Sequence, residues 1–399
     1  MNAPHPAPPA SGHPAPGTRA AGPIYLDYNA TTPVDRRVAE VADAALREAW
    51  GNPSSAHVYG ARSHDRLDGA RRQVADLLGA APDEIVLTGG GSESDNLAIK
   101  GIFFAARGRG DHVVTSAIEH PAVLETCRWL VDRLGARLTL LPVDGTGRVD
   151  PNDVAGAIEP STVLVTLMHA NNEVGTLSPI AEIARVCRER GVAFHTDAAQ
   201  SVGKIATRVD GLGVDLLTVA AHKLYAPKGV GALYVRDGVV LDPLVHGAGH
   251  ERGRRAGTEN VAFAAALGCA AQLCAERLPA EAERLCRLRD RLHARLAAAV
   301  PGLELNGHPT ERLPNTLNVS FPGVDGHALL AATPEVAAST GSACHAGRTE
   351  PSGVLLAMGL DRERALGAVR LSLGRWSTSE EVDRAADLLA GAWRARRAA

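Results

Sequence analysis

Glu84-Ile85-Val86-Leu87-Thr88-Gly89-Gly90-Gly91-Ser92 reads as a strand that runs into three glycines and a serine. Residues 93–106 continue as a helix, with Leu97, Ile99 and Ile102 at helical spacing. Strand, glycine turn and helix start leave free N–H groups and the positive end of a helix dipole at the end of a strand. Such a turn cradles an anion, and Ser92 adds a hydroxyl. An ordinary tight turn has the same composition, so the stretch alone leaves both readings open. It is not a nucleotide P-loop, because no Gly-Lys-Ser/Thr follows.

Working outward, strand patterns recur at 112–116, 138–143, 163–168, 192–195, 215–219 and 231–235, with helical patterns at 122–134, 153–158 and 180–190 among them. This alternation argues for an α/β fold, a mostly parallel sheet with helices on both faces. Upstream lie a short strand at 24–26 and helices at 34–50 and 61–78. Downstream come an arginine-rich loop at 246–257, a helix at 260–277 that continues at 280–299 beyond Pro279, and strands at 316–320 and 369–373. A small-residue loop at 339–347 surrounds Cys344, and Thr378-Ser379-Glu380-Glu381 is a capping box for the last helix. The expected organisation is a tail at 1–23, a segment at 24–35 packing with a small domain, a large domain at 36–270, and a smaller α+β domain at 271–399.

Composition excludes several classes. Lys and Arg total 42 against 45 Asp and Glu, a net charge of −3, so nothing points to nucleic acid. No apolar run approaches the roughly 18 residues of a membrane span. The Pro/Ala-rich start has neither a signal peptide's apolar core nor a transit peptide's Arg-rich face. It reads as a disordered extension, with a cytoplasmic location expected by default. The six cysteines form no CxxC pair, and five fall in helical patterns as small core residues. Cys344 is the exception. No metal site is expected.

Val219-Ala220-Ala221-His222-Lys223-Leu224-Tyr225 places one lysine behind an apolar run. Most lysines are solvated, but a semi-buried amine loses pKa and becomes nucleophilic. His120 stands at a strand-to-helix crossing, where a structural histidine is the commoner case and stacking on an aromatic ligand the sharper one. Asn171-Asn172-Glu173 and Asp197 lie at strand ends, where open α/β sheets bind ligands. Pyridoxal phosphate (PLP) needs a lysine, a carboxylate at the pyridine nitrogen, a phosphate cradle and a group over the ring. Lys223, Asp197, Gly91 with Ser92, and His120 supply those four in chain order.

With Tyr25 to Pro33, Ser92 to Ala98, Glu119-His120, Asn171 to Glu173, Asp197 to Gln200, His222-Lys223, Arg252 to Asn260 and Gly341 to Cys344, the chain resembles a cysteine desulfurase. This is a branch of the class V aminotransferase superfamily, and the resemblance spans residues 24–390. It implies that Lys223 carries PLP as an imine, that Asp197 keeps the ring nitrogen protonated, and that Gln200 bonds the ring's phenolic oxygen. It implies that His120 stacks on the ring and moves protons, and that Gly91, Ser92 and His222 hold the phosphate. Thr258 reaches the phosphate site of the other subunit, so a homodimer is implied. Asn171 and Arg370 grip the carboxylate of L-cysteine. Cys344 takes the substrate sulfur as a persulfide, leaving L-alanine. It then passes the sulfur to an acceptor protein in iron–sulfur assembly, tRNA thiolation or thio-cofactor synthesis, with transient contact of Cys344 to a cluster. The family often has Ser-Gly before His-Lys where this chain has Ala220-Ala221, one phosphate-binding hydroxyl fewer. The Cys344-His345 pair and Asp197-Ala198-Ala199-Gln200 also resemble selenocysteine lyases, the alternative reading. A non-catalytic scaffold of the same fold is the third.

Overall fold

The computed structural model describes residues 22–341, 344, 345 and 348–398, with backbone alone at 344, 345, 348 and 349. The expected tail up to position 21 therefore lies outside the described residues, as do Ser342, Ala343, Ala346 and Gly347.

β1 (Ile24–Tyr25) turns into α1 (Arg36–Glu48) and α2 (Val58–Leu78). Next come β2 (Ile85–Thr88), α3 (Gly91–Ala105), β3 (His112–Ser116), α4 (Pro121–Leu134), β4 (Arg137–Leu141), α5 (Pro151–Ala157), β5 (Thr162–Thr166), α6 (Ile180–Glu189) and β6 (Ala193–Asp197). A short α7 (Val209–Leu212), β7 (Leu216–Ala220) and β8 (Gly231–Val235) close this unit. The long α8 (Val261–Ala299) leads to β9 (Glu304–Asn306), β10 (Thr316–Ser320), α9 (Gly326–Ala331) and β11 (Val336–Ala337). The hairpin β12 (Cys344–His345) and β13 (Arg348–Thr349) follows, then α10 (Gly353–Ala357), α11 (Arg362–Leu366), β14 (Ala368–Ser372) and α12 (Ser379–Ala398).

Seven strands form one sheet in the order β2-β8-β7-β6-β5-β3-β4. Only β8 runs against its neighbours, pairing antiparallel with β2 and β7. The expected mostly parallel sheet is what the chain builds, and its strands are buried on both faces. β2, β3, β7 and β8 have every residue buried, which is why they read as near-continuous apolar runs. Alternate residues feed opposite cores. Leu217 and Val219 join Leu67, Ile183 and Leu267 from α2, α6 and α8. Leu216 joins Ile99 and Leu130 from α3 and α4.

A second core lies around the antiparallel sheet β14-β10-β9, covered by the C-terminal half of α8 (Leu285, Leu292, Leu296) and by α12 (Val382, Leu389, Trp393). Ile24 and Leu26 belong to it, and β1 pairs parallel with β11. Thus α8 serves both cores, with Cys274 in the first, Leu285 in the second and Pro279 inside the helix between them. This helix is apolar enough by length and composition to cross a membrane, yet 61% of its most apolar stretch is buried inside the protein. It is a core helix, and it runs on beyond Pro279 as expected.

Two boundaries matter for the site. α3 begins at Gly91, two residues before the sequence pattern suggests. Gly90 turns the chain with φ +149°, a conformation reserved for glycine, so Ser92 sits inside the first helical turn. The segment expected as a loop around Cys344 contains the β12–β13 hairpin, with Cys344 paired to Thr349.

Candidate active site

The C-terminal ends of the parallel strands converge on one cavity of about 270 Å³. β2 delivers Gly91, Ser92 and Asp95 through α3, and β3 delivers His120. β5 delivers Met168, Ala170 and Asn172, β6 delivers Asp197, Ala199 and Gln200, and β7 delivers Ala220, His222 and Lys223. Strand ends are where such sheets bind ligands, because neighbouring connections part there. A larger hollow of about 560 Å³ opens at the other end of the strands, near Thr162, Ala193 and Asp215, and gathers no comparable set.

Lys223 follows β7 in a short helical turn closed by Tyr225, which takes a left-handed φ of +64°. The segment after β1 enforces this turn. Thr32 donates its backbone N–H to His222 O (3.0 Å) and accepts from Tyr225 N (2.9 Å), while Asp35 N donates to Tyr225 O (2.9 Å). The Tyr225 ring then packs under the Arg375 guanidinium at 4.1 Å. Lys223 Nζ donates to the backbone oxygens of Asn29 (2.5 Å) and Ala30 (2.7 Å). Burial, helped by nearby Arg370, lowers its pKa to about 8. A sizeable neutral fraction is then present near neutral pH, as a nucleophilic amine requires. Burial likewise brings His222 down to about 4, so it is a neutral ring, sharing a hydrogen bond with Thr31 Oγ1 at 3.1 Å.

His120 caps α4, its Nδ1 accepting from Ala122 N (3.1 Å), which assigns the proton of the neutral ring to Nε2. Burial lowers its pKa despite the opposing pull of Asp197. Asp197 Oδ1 accepts from Ala199 N (2.9 Å), and burial raises its pKa. Gln200 is oriented from both ends. Its Oε1 accepts from Lys204 Nζ (2.9 Å), so its NH₂ is free to donate, and in this structure it donates to Asn29 O (3.0 Å). Lys204 is buried, and burial lowers its pKa to about 7.

The residues fit PLP by their own shape and chemistry. A Cβ on Gly91 would stand 3.0 Å from Ala220 Cβ, so glycine keeps the α3 N-terminus open as a cradle. An amine, a carboxylate, a neutral imidazole and an amide donor share the wall beside it.

Other expectations fare differently. Asn171 does not face the cavity. Its Nδ2 donates to Ile118 O (3.1 Å) and its Oδ1 accepts from Glu173 N (2.8 Å) and Val174 N (3.0 Å), so the side chain is spent on building its own turn. Asn172 lines the cavity in its place. Sequence could not choose between adjacent asparagines, because an Asx-type turn and a ligand contact ask for the same residue. Arg370 lies just behind the wall. Nη1 donates to Asn172 O (3.0 Å), Nη2 donates to Asp27 Oδ1 (2.8 Å), and Nε has no partner among the described residues. Thr258 is exposed and outside the cavity. Its loop is anchored by Glu251, a buried carboxylate that binds both Nη atoms of Arg71 (2.7 and 2.8 Å) and accepts from Leu87 N (2.8 Å). The sequence marked that loop as basic and, through the family resemblance, as the source of Thr258, but not its Glu251 anchor. Asp95 and Lys204 were missed as well. Asp95 lies within Ser92 to Ala98, and the packing of α3 places it on the cavity wall.

This arrangement defines a PLP enzyme of one class: the chain belongs to the class V aminotransferase family, whose model matches residues 24–385. Within that family the branch is that of the cysteine desulfurases. The chain is 46% identical over 368 residues to the cysteine desulfurase IscS of Dictyoglomus turgidum, covering 92% of this chain and 93% of the relative. A solved NifS-like protein superposes with a TM-score of 0.87 at 36% identity, covering 94% of this chain and all of the other. A structure described as SspA in complex with cysteine matches at 39% identity and a TM-score of 0.77, over 88% and 98% of the two chains.

Proposed function

We propose that this protein is a PLP-dependent cysteine desulfurase that converts L-cysteine to L-alanine and moves the sulfur to Cys344. The observation that carries the reading is the convergence of Lys223, Asp197, His120, Gln200 and the Gly91–Ser92 turn on one cavity. When bound, PLP supplies an electron sink that withdraws charge from the substrate's α-carbon.

The chain's own residues do the rest. The Gly91–Ser92 turn and His222 hold the phosphate, and Thr258 from a second subunit completes that grip in a homodimer. Asp197 keeps a negative carboxylate at the ring nitrogen, and Gln200 donates to the phenolic oxygen. Arg370 exchanges Asp27 for the carboxylate of cysteine, to which its planar fork is matched. Asn172 holds the other edge. Lys223, once released, takes the α-proton with an amine poised near pH 8. His120 Nε2 exchanges protons at the cavity mouth. The Cys344 thiolate attacks the substrate sulfur. An S–S bond forms, the C–S bond breaks, and its electron pair stays on carbon, which is protonated and leaves as alanine. Cysteine and one thiol thereby become alanine and one persulfide, in balance. The persulfide passes to a scaffold or sulfur-carrier protein, in the cytoplasm.

Purified with PLP, the protein is expected to be yellow and to release equal alanine and sulfide from cysteine under reductant. Cys344→Ser is expected to lose multiple turnover. Full cysteine turnover by that variant would end the persulfide mechanism. A selenocysteine lyase shares the fold, and the ratio of turnover on the two substrates separates the readings.

A further inference from the structure

Asp95 reaches the cavity from the second turn of α3 and is 2% exposed. Its Oδ1 has no hydrogen-bond partner among the described residues. Among the described residues, the basic atom within ion-pair reach of it is His195 Nε2, at 3.8 Å. That ring is fully engaged, Nδ1 with Thr166 Oγ1 at 2.8 Å and Nε2 with Thr218 Oγ1 at 3.0 Å, and burial brings its pKa down to about 3. His195 is therefore neutral and offers Asp95 no counter-charge. Asp95, His120 and Asp197 each place an oxygen or nitrogen within 4.8 Å of the others.

Two buried carboxylates this close do not both ionise. The surroundings decide which keeps the proton. Asp197 accepts the Ala199 N–H, and His120 and Lys223 favour its anion. Asp95 faces burial, Asp197 and Glu119, with only Thr218 acting the other way. Glu119 is itself held largely neutral, since burial pushes it up to about 8.

We propose that Asp95 is a second ring-side carboxyl of the cofactor site, a neutral acid that leaves Asp197 as the single negative charge facing the ring nitrogen. This rests on the PLP reading above. It makes Asp95 a positioning residue, acting through Asp197.

Asp95→Asn in the full-length protein keeps a neutral polar side chain but cannot ionise. In the cofactor-free protein, the folded-state pKa of Asp95 is raised, so its stability contribution is complete below about pH 4 and is lost as pH rises toward the folded value. The melting temperature of Asp95→Asn should therefore gain on the unmutated protein steadily from pH 5 upward, then level off. A gap that is flat with pH, or that shrinks, overturns the proposal. In PLP titrations followed by absorbance, Asp95→Asn should bind within about threefold of the unmutated protein, while Asp95→Leu should bind at least about tenfold more weakly. Asn binding as weakly as Leu would show that the charge of Asp95 is used, and would overturn the proposal. Failure of the unmutated protein to bind PLP would instead sink the parent reading.

Discussion

Ala220 stands at the end of β7 where a hydroxyl is expected for a phosphate site, and Ala220→Ser restores it. The residue is 4% exposed and lines the cavity. Its Cβ lies 3.0 Å from where a side chain on Gly91 would begin, so the missing Gly91 Cβ leaves room for Oγ. A hydrogen bond to a charged group is worth about 1.5–3 kcal/mol net. The low end applies, because the new hydroxyl must also leave water. About 1.4 kcal/mol lowers the dissociation constant of PLP about tenfold. The assay is titration of cofactor-free protein with PLP by absorbance, with the off-rate measured by dilution into a competing carbonyl reagent. Gly91→Ala is the converse control: its Cβ meets Ala220 and fills the cradle, so binding should weaken. A dissociation constant unchanged in a normally folded Ala220→Ser protein would refute the reasoning. The phosphate would then not pass beside position 220.

Two further outcomes are expected. The rate of PLP capture by cofactor-free protein should rise about tenfold per pH unit while Lys223 is mostly protonated, and level off above about pH 8, where its amine is neutral; a rate independent of pH from 6 to 9, read by stopped-flow absorbance, would count against Lys223 as the acceptor. Lys204→Met should loosen Gln200 and weaken PLP binding several-fold. Because burial depresses the pKa of Lys204, the native amine costs stability increasingly as pH falls from 10 to about 7. The melting-temperature difference should therefore shift in favour of Lys204→Met over that range, and a shift in the opposite direction would contradict the buried-amine reading.

Most of the fold was legible because parallel strands buried on both faces leave an unmistakable apolar signature, as at Leu216–Ala220 and Ile85–Thr88. The antiparallel insertion of β8 was not legible, since Gly231–Val235 has the same apolar character as its neighbours and direction leaves no mark in composition. The continuation of α8 beyond Pro279 was legible, although a proline signals a break locally; what the sequence did not show is that the two halves of the helix serve different cores.

The sequence by itself determined the alternation of strands and helices, and it singled out Lys223, Asp197, His120 and Gly91–Ser92, with Gln200 added by the family resemblance. Each of these types carries its chemistry wherever it sits, and each stood at a strand's end. Tertiary structure alone decided which groups face the cavity. Asn172 lines it while Asn171 is consumed in a turn, because rotation between adjacent residues is set by the backbone. Asp95 lines the cavity because the packing of α3 against the sheet buries that face of the helix. Lys223 is pinned by carbonyls nearly two hundred residues away, at Asn29 and Ala30. Its amine is tuned by burial and by Arg370, and burial belongs to the packed molecule rather than to any stretch of chain.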